Sequence, residues 1–193
     1  MKDHPIICTG ESVRGIQTGH KSQTRRVIKP QPENVYCNPD RPDWGWHTHQ
    51  KGDTQLFCPY GNVGDRLWVR EMWLLYSHMG QYVGKIPKQA PKDLSIGYKA
   101  DGFDKENLFT WRSPMWMPKW AARIWLEITG VRVERVQEIT QSDCISEGIC
   151  PHLPCYFQKL WDSLNAKRGF GWDKNPWVRV IEFKKIEVPN VNG

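Results

Sequence analysis

No apolar run in the chain approaches the roughly 18 residues that a membrane-spanning helix needs. The N-terminal stretch MKDHPIICTG is short and polar, without the apolar core of a secretory leader. No membrane partner is therefore expected. The six cysteines are read as reduced thiols in a cytoplasmic compartment. They form no Cys-x-x-Cys pair. A zinc site drawn from Cys37, Cys58 and His47 or His49, or from Cys150, His152 and Cys155, lacks the paired spacing of a ribbon or finger. No metal and no other cofactor is expected, and His47 and His49 read as surface residues. Phosphate-loop and dinucleotide-loop glycine patterns are also missing, which leaves no ground for nucleotide hydrolysis. Internal repeats and low-complexity tracts are absent too.

Tryptophan is abundant, with 11 in 193 residues. Many stand beside a basic residue, as in Trp68-Val-Arg70, Trp111-Arg112, Lys119-Trp120 and Trp177-Val-Arg179. Two roles fit them: filling a core and its rim, or offering faces on which nucleic-acid bases stack. The net charge of +6 and pI near 9.0 favour an anionic partner. The 14 prolines and 16 glycines point to short strands and loops rather than long helices.

Hydrophobic periodicity supplies the elements. Residues 11–18 read as a helix with Val13 and Ile16 on one face, closed by Gly19. The following HKSQTRRVIKP is a polar, cationic turn ended by Pro30 and Pro32. Residues 66–72 alternate, Leu67 and Val69 facing a core while Arg66, Trp68 and Arg70 form a basic, aromatic outer face. Residues 123–129 and 131–136 predict one long bent strand or a tight hairpin about Gly130. Thr140 and Asp143 form a capping-box-like start to a helix ending at Gly148, so Glu147 lies on its last turn. Phe157, Leu160, Trp161 and Leu164 recur at helical spacing over 154–166, and 177–183 is a strong β-run. The fold class is α+β: a small mixed β-barrel with flanking short helices. It forms a single domain over 1–193, with long irregular insertions at about 31–62 and 77–119 and a short strand near 96–100 in the second.

The densest polar cluster is Gly19-His-Lys21-Ser-Gln-Thr24-Arg25-Arg26. Its cations and hydroxyls suit phosphate oxygens and base edges. Gly19-x-Lys21-x-x-Thr24-x-Arg26 resembles the signature of the ASCH superfamily, a branch of the PUA-like β-barrel fold. Three further segments are similar in the same order: Gly64-Asp65-Arg-Leu-Trp-Val69, Ile139 through Glu147, and Val180-Ile-Glu-Phe183. The threonine form resembles bacterial N4-acetylcytidine amidohydrolases, and the chain as a whole resembles ASCH-like proteins of phages and prophages.

Several readings follow. The resemblance and the basic-aromatic alternation imply a cleft binding RNA, single-stranded nucleic acid or a modified nucleoside. In it Arg25, Arg26, Arg66, Trp68, Arg70 and Glu71 would contact the ligand. The amidohydrolase resemblance implies catalytic positions at Thr24, Lys21 and Glu147: hydroxyl nucleophile, its base and a proton shuttle in that order. The same residues also suit an ion pair and a turn-capping hydroxyl. A metal-independent ribonuclease is a further alternative, as is a protein partner docking on Trp-rich insertions. The binding and catalytic readings share one requirement. The cationic segment near Lys21 and the acidic helix end at Glu147 must meet on one concave surface.

Overall fold

A computed structural model describes residues 1–37, 46–48, 54–55, 57–102, 109–149, 151 and 153–189. Eleven strands and three α-helices follow one another. They are β1 (Asp3–Ile7), α1 (Gly10–Gln17), β2 (Gln23–Val27), β3 (Tyr36–Cys37), β4 (Trp46–Thr48), β5 (Thr54–Gln55), β6 (Arg66–Arg70) and β7 (Trp73–Ser77). After these come β8 (Gly80–Tyr82), β9 (Ser95–Tyr98), β10 (Trp125–Arg135), α2 (Gln141–Ser146), α3 (Pro154–Asn165) and β11 (Trp177–Ile186).

The principal sheet has the order β1-β6-β10-β11-β2, so β1 and β2 are its two edges. β1 and β6 run parallel, while the other neighbours are antiparallel. This is an α+β arrangement, and no strand pairing joins β1 to β2 among the described residues. The seam between them is bridged by a side chain: Arg26 Nη2 donates to the Ile7 carbonyl at 2.6 Å. Helix α1, which connects the two edge strands, turns Val13 and Ile16 into the core against Ile6, Leu67, Leu126, Ile128 and Ile181.

The two runs around Gly130 form one strand, β10, with a register shift between Ile128 and Gly130. At that bulge a Cβ on residue 130 would stand 2.7 Å from Glu182 Oε2. The predicted helices are present. Thr140 and Asp143 make the reciprocal capping box of α2, and Gly148 closes it at φ 73°. Of the four apolar positions on α3, Phe157 and Trp161 are buried, whereas Leu160 and Leu164 stay on the open side.

Three expectations are corrected. The cationic segment after α1 is a strand, β2, and its Gln23, Thr24 and Arg25 are buried. Its polar composition disguised it, because pairing with β11 makes it an edge strand and ion pairs allow Arg25 to be buried. The region of the first insertion carries a small antiparallel sheet, β3-β4-β5, rather than loop alone. The second insertion carries β8 in addition to the strand expected near 96–100, which is β9, and the two flank β7 in another three-stranded sheet. His49, Cys150 and His152, and the side chains of Cys37 and His47, lie outside the described residues.

The outer face of β6 is not an exposed platform. Trp68 is 6% exposed and packs with Trp73, Trp125 and Met117 in a second apolar cluster beneath β7. Strand alternation predicts two faces, but it does not say that both are covered. Trp68→Ala is expected to lower the unfolding free energy by about 3–5 kcal/mol. Urea denaturation measures this, and wild-type stability in that variant would return Trp68 to the surface.

Candidate functional site

A cavity of about 620 Å³ opens at the seam between the edge strands. Its wall includes Ile7 through Thr9 at the end of β1, Lys21, Thr24 through Val27, the Pro59-Tyr60 turn, Glu147, Arg179, one side of α3 from Phe157 to Asn165, and Arg168 beyond it. Lys21, Thr24 and Glu147 are thus brought to one concave surface, as the sequence reading required.

Lys21 Nζ donates to Glu147 Oε2 at 2.5 Å and to the Glu147 carbonyl at 2.9 Å. Gly148 allows this approach. It lies 3.3 Å, measured from an ideal Cβ, from both the His20 carbonyl and Lys21 Cβ, so the end of α2 is pressed onto the segment entering β2.

Arg25 anchors a wider network behind the pair. Its side chain is 0% exposed. Nε and Nη2 donate to Glu134 Oε1 at 3.0 and 2.7 Å, and Nη1 donates to Gln23 Oε1 at 2.7 Å and Glu147 Oε1 at 3.2 Å. Asp143 Oδ2 lies 3.1 Å from Nη2. Arg132 adds bonds to Glu134, Asp143 and Glu182. The remaining face of the Arg25 guanidinium lies over the Phe157 ring. Buried ions cost free energy unless paired and hydrogen-bonded, and here they are.

Asp143 reflects the same pairing. Burial pushes its pKa up, but bonds from the Thr140 backbone and hydroxyl, the Arg25 charge and Gln23 outweigh it and bring the value to about 2.

Thr24 differs from its neighbours. It lines the cavity, and its hydroxyl has no hydrogen-bond partner among the described residues. Cys8 also lines the cavity, with its thiol pushed up by burial despite the nearby charges of Arg26 and Lys21.

The other predicted contacts go elsewhere. Arg66 pairs with Asp3 at 2.7 Å and lies over Trp125, away from the cavity. Arg70 lies over the Trp68 ring and donates to the Met115 carbonyl, so neither it nor Trp68 reaches the cavity wall. Glu71 is buried and held by Arg123 Nε and Nη2 at 2.9 and 3.1 Å. Burial raises its pKa, against the pull of Arg123. It borders an adjoining cavity of about 430 Å³ between α1 and α3. Arg70 and Glu71 are covered by the segment after β7, through Met115 and Arg123, which the sequence presented as irregular.

The sequence reading missed Lys29, Tyr60, Phe157, Trp161, Arg168 and Arg179 on the first cavity. A signal existed for Arg179, a charge set among Val178, Val180 and Ile181 in the apolar first half of β11. Trp161 is the one tryptophan in the described cavity wall, so the cleft is aromatic without being Trp-lined.

No family model matches the chain, and no curated protein does. Two solved structures are similar. An ASCH domain from Lactobacillus crispatus matches at 12% identity and a TM-score of 0.47, over 97% of this chain and 81% of that one. A DUF984 protein from Enterococcus faecalis matches at 9% identity and a TM-score of 0.44, over 100% of this chain and 85% of that one. At such values neither likeness assigns a ligand or an activity. Among the described residues no group of acidic, histidine and cysteine side chains is arranged to hold a metal ion, and no helix is long and apolar enough to cross a membrane.

Because the folded pKa of Asp143 lies below its ordinary value of 3.8, its contribution is complete above about pH 4 and disappears as pH falls toward 2. Asp143→Asn should therefore remove about 2 kcal/mol of stability at neutral pH, converging with wild type near pH 2. Denaturant melts across that range measure the difference. A pH-independent gap would show that Asp143 acts through packing alone.

Proposed function

We propose that the chain binds single-stranded nucleic acid, RNA above all, or a component nucleotide, in the cavity between β1 and β2. One observation carries this reading: the cavity joins aromatic rings to cations that lack carboxylate partners. Lys21 and Arg25 are neutralised by the Glu147 network, whereas Arg26, Lys29, Arg168 and Arg179 have no carboxylate partner among the described residues. Tyr60, Phe157 and Trp161 stand on the same wall. Phosphate oxygens suit the cations, and base faces suit rings and apolar side chains. The four motif segments quoted from the sequence support an ASCH-type, PUA-like reading. In that reading the seam is where the barrel stays open, and the domain spans the whole chain. A phage source and a cytoplasmic setting remain part of the same proposal.

Fluorescence titration of a labelled single-stranded RNA against salt tests the binding. The logarithm of affinity is expected to fall linearly with the logarithm of salt, by about 0.7 per phosphate neutralised. Arg26→Ala should weaken binding and reduce that slope by about 1. Binding indifferent to salt, or to Arg26→Ala, would remove the reading.

Amide hydrolysis of an N-acylated cytidine-like nucleoside is the second reading, favoured by the unpartnered Thr24 hydroxyl beside Lys21 and Glu147. Thr24 Oγ1 would attack the acyl carbon, its proton passing by way of Lys21 and Glu147 to the amine as the C–N bond breaks, and water would then hydrolyse the acyl-threonine ester. For Lys21 to take part, Nζ must leave its bonds to Glu147. Incubation with N4-acetylcytidine should release cytidine, and Thr24→Ala should abolish the release. An unchanged rate in that variant rejects the assignment.

A further inference from the structure

Arg179 occupies an unusual position for a cation. It is 7% exposed in the middle of β11, between Val178 and Val180. Its Nη2 donates to the Phe57 carbonyl at 2.6 Å, and no carboxylate approaches it among the described residues. Burial lowers its pKa, with only weak opposition from Cys58 and Tyr60. Charges taken out of water are ordinarily paired. This one is not.

Its cross-strand partner is another arginine. Arg26 on β2 stands directly opposite Arg179 in the antiparallel ladder. Opposed residues project to the same side, with Cβ atoms about 4.5–5.5 Å apart, and like charges there repel. Arg26 donates to the Ile7 carbonyl and lies beside the Cys8 thiol, while its Nε is buried with no partner among the described residues. Both arginines line the 620 Å³ cavity. Thr24 lies two residues from Arg26, on the same side of β2, and brings its unpartnered hydroxyl. Glu147 is the one carboxylate residue on the cavity wall, and Lys21 and Arg25 already hold it. Two opposed guanidiniums, that of Arg179 buried and that of Arg26 half-buried, border one cavity and leave a gap that an anion completes.

We infer that Arg26 and Arg179 form a phosphate clamp, so that the cleft takes a phosphorylated nucleotide unit rather than a neutral nucleoside. This rests on the nucleic-acid reading above and makes it more specific. The planar forks of the two arginines suit a tetrahedral group presenting several oxygens, each fork taking a pair. Thr24 would donate to a further oxygen. The phosphate is either a terminal monoester, with three non-ester oxygens, or a backbone diester, with two.

Calorimetric titration of the full chain with cytidine, cytidine 5′-monophosphate, inorganic phosphate and a short oligonucleotide carrying only internal diesters tests the clamp. The monophosphate or the oligonucleotide should bind at least about tenfold more tightly than cytidine, the gain from charge-assisted hydrogen bonds. Preference between these two identifies the phosphate as terminal or internal. Arg179→Gln, which keeps a donor for the Phe57 carbonyl, should abolish the preference. The ligand-free variant should melt at the wild-type temperature or above it, because one of two opposed cations has gone.

Equal binding of nucleotide and nucleoside, or a preference untouched by Arg179→Gln, would overturn the clamp and leave the cleft reading standing. Inorganic phosphate bound in an Arg179-dependent way, with no binding of any nucleotide, would keep the clamp and remove the nucleic-acid reading. No binding of any phosphate probe would overturn both. A lower melting temperature in ligand-free Arg179→Gln would mean that Arg179 holds the fold, and would overturn the clamp.

Discussion

Arg25 is a fully buried guanidinium on an edge strand, and it fixes where the rest of the site lies. A buried cation must be matched by acceptors whose positions suit its fork. Glu134 supplies them from β10, Asp143 and Glu147 from α2 and its cap, and Gln23 from the same strand. Through these bonds the helix end is held against β2, and Glu147 is delivered to Lys21. With the odd-numbered side chains of β2 committed to this network, Thr24 and Arg26 are left on the opposite side, toward the cavity.

The cations of the chain consequently divide into two populations. Lys21, Arg25 and Arg132 belong to a satisfied network with Glu134, Asp143, Glu147 and Glu182. Arg26 and Arg179 face the cavity without carboxylates, as do Lys29 and Arg168. The net charge of +6 therefore understates the electrostatic character of the cleft, where unpaired charge is positive. Lys29 also lies 4.7 Å from the Phe170 ring centroid, a contact that positions the cation without neutralising it.

The tryptophans divide in a similar way. Trp68, Trp73 and Trp125 build the cluster beneath β7, with Trp120 meeting Trp73 edge to face at 6.0 Å. Trp161 serves the wall of the cavity, and Trp116 is exposed on the segment after β9. A basic neighbour in sequence is no guide to these roles. Arg70 lies over Trp68 and Arg66 over Trp125, so several of these arginines cover the rings of the core rather than offering them to a ligand.

Local pattern was enough to place α1 with its glycine stop, the capping box of α2, the buried stripe of α3 and the strands β6, β10 and β11. Each is set by short-range periodicity, caps and turn chemistry. The pairing of Lys21 with Glu147 was legible only through similarity of motifs, because 126 positions separate the two residues. Tertiary structure alone decided the rest. It turned a polar segment into a buried edge strand, covered the outer face of β6, and set Arg179 opposite Arg26. The reason is physical: burial and pairing of charge depend on which elements lie alongside a residue, and strand order and register are fixed by contacts between segments far apart in the chain.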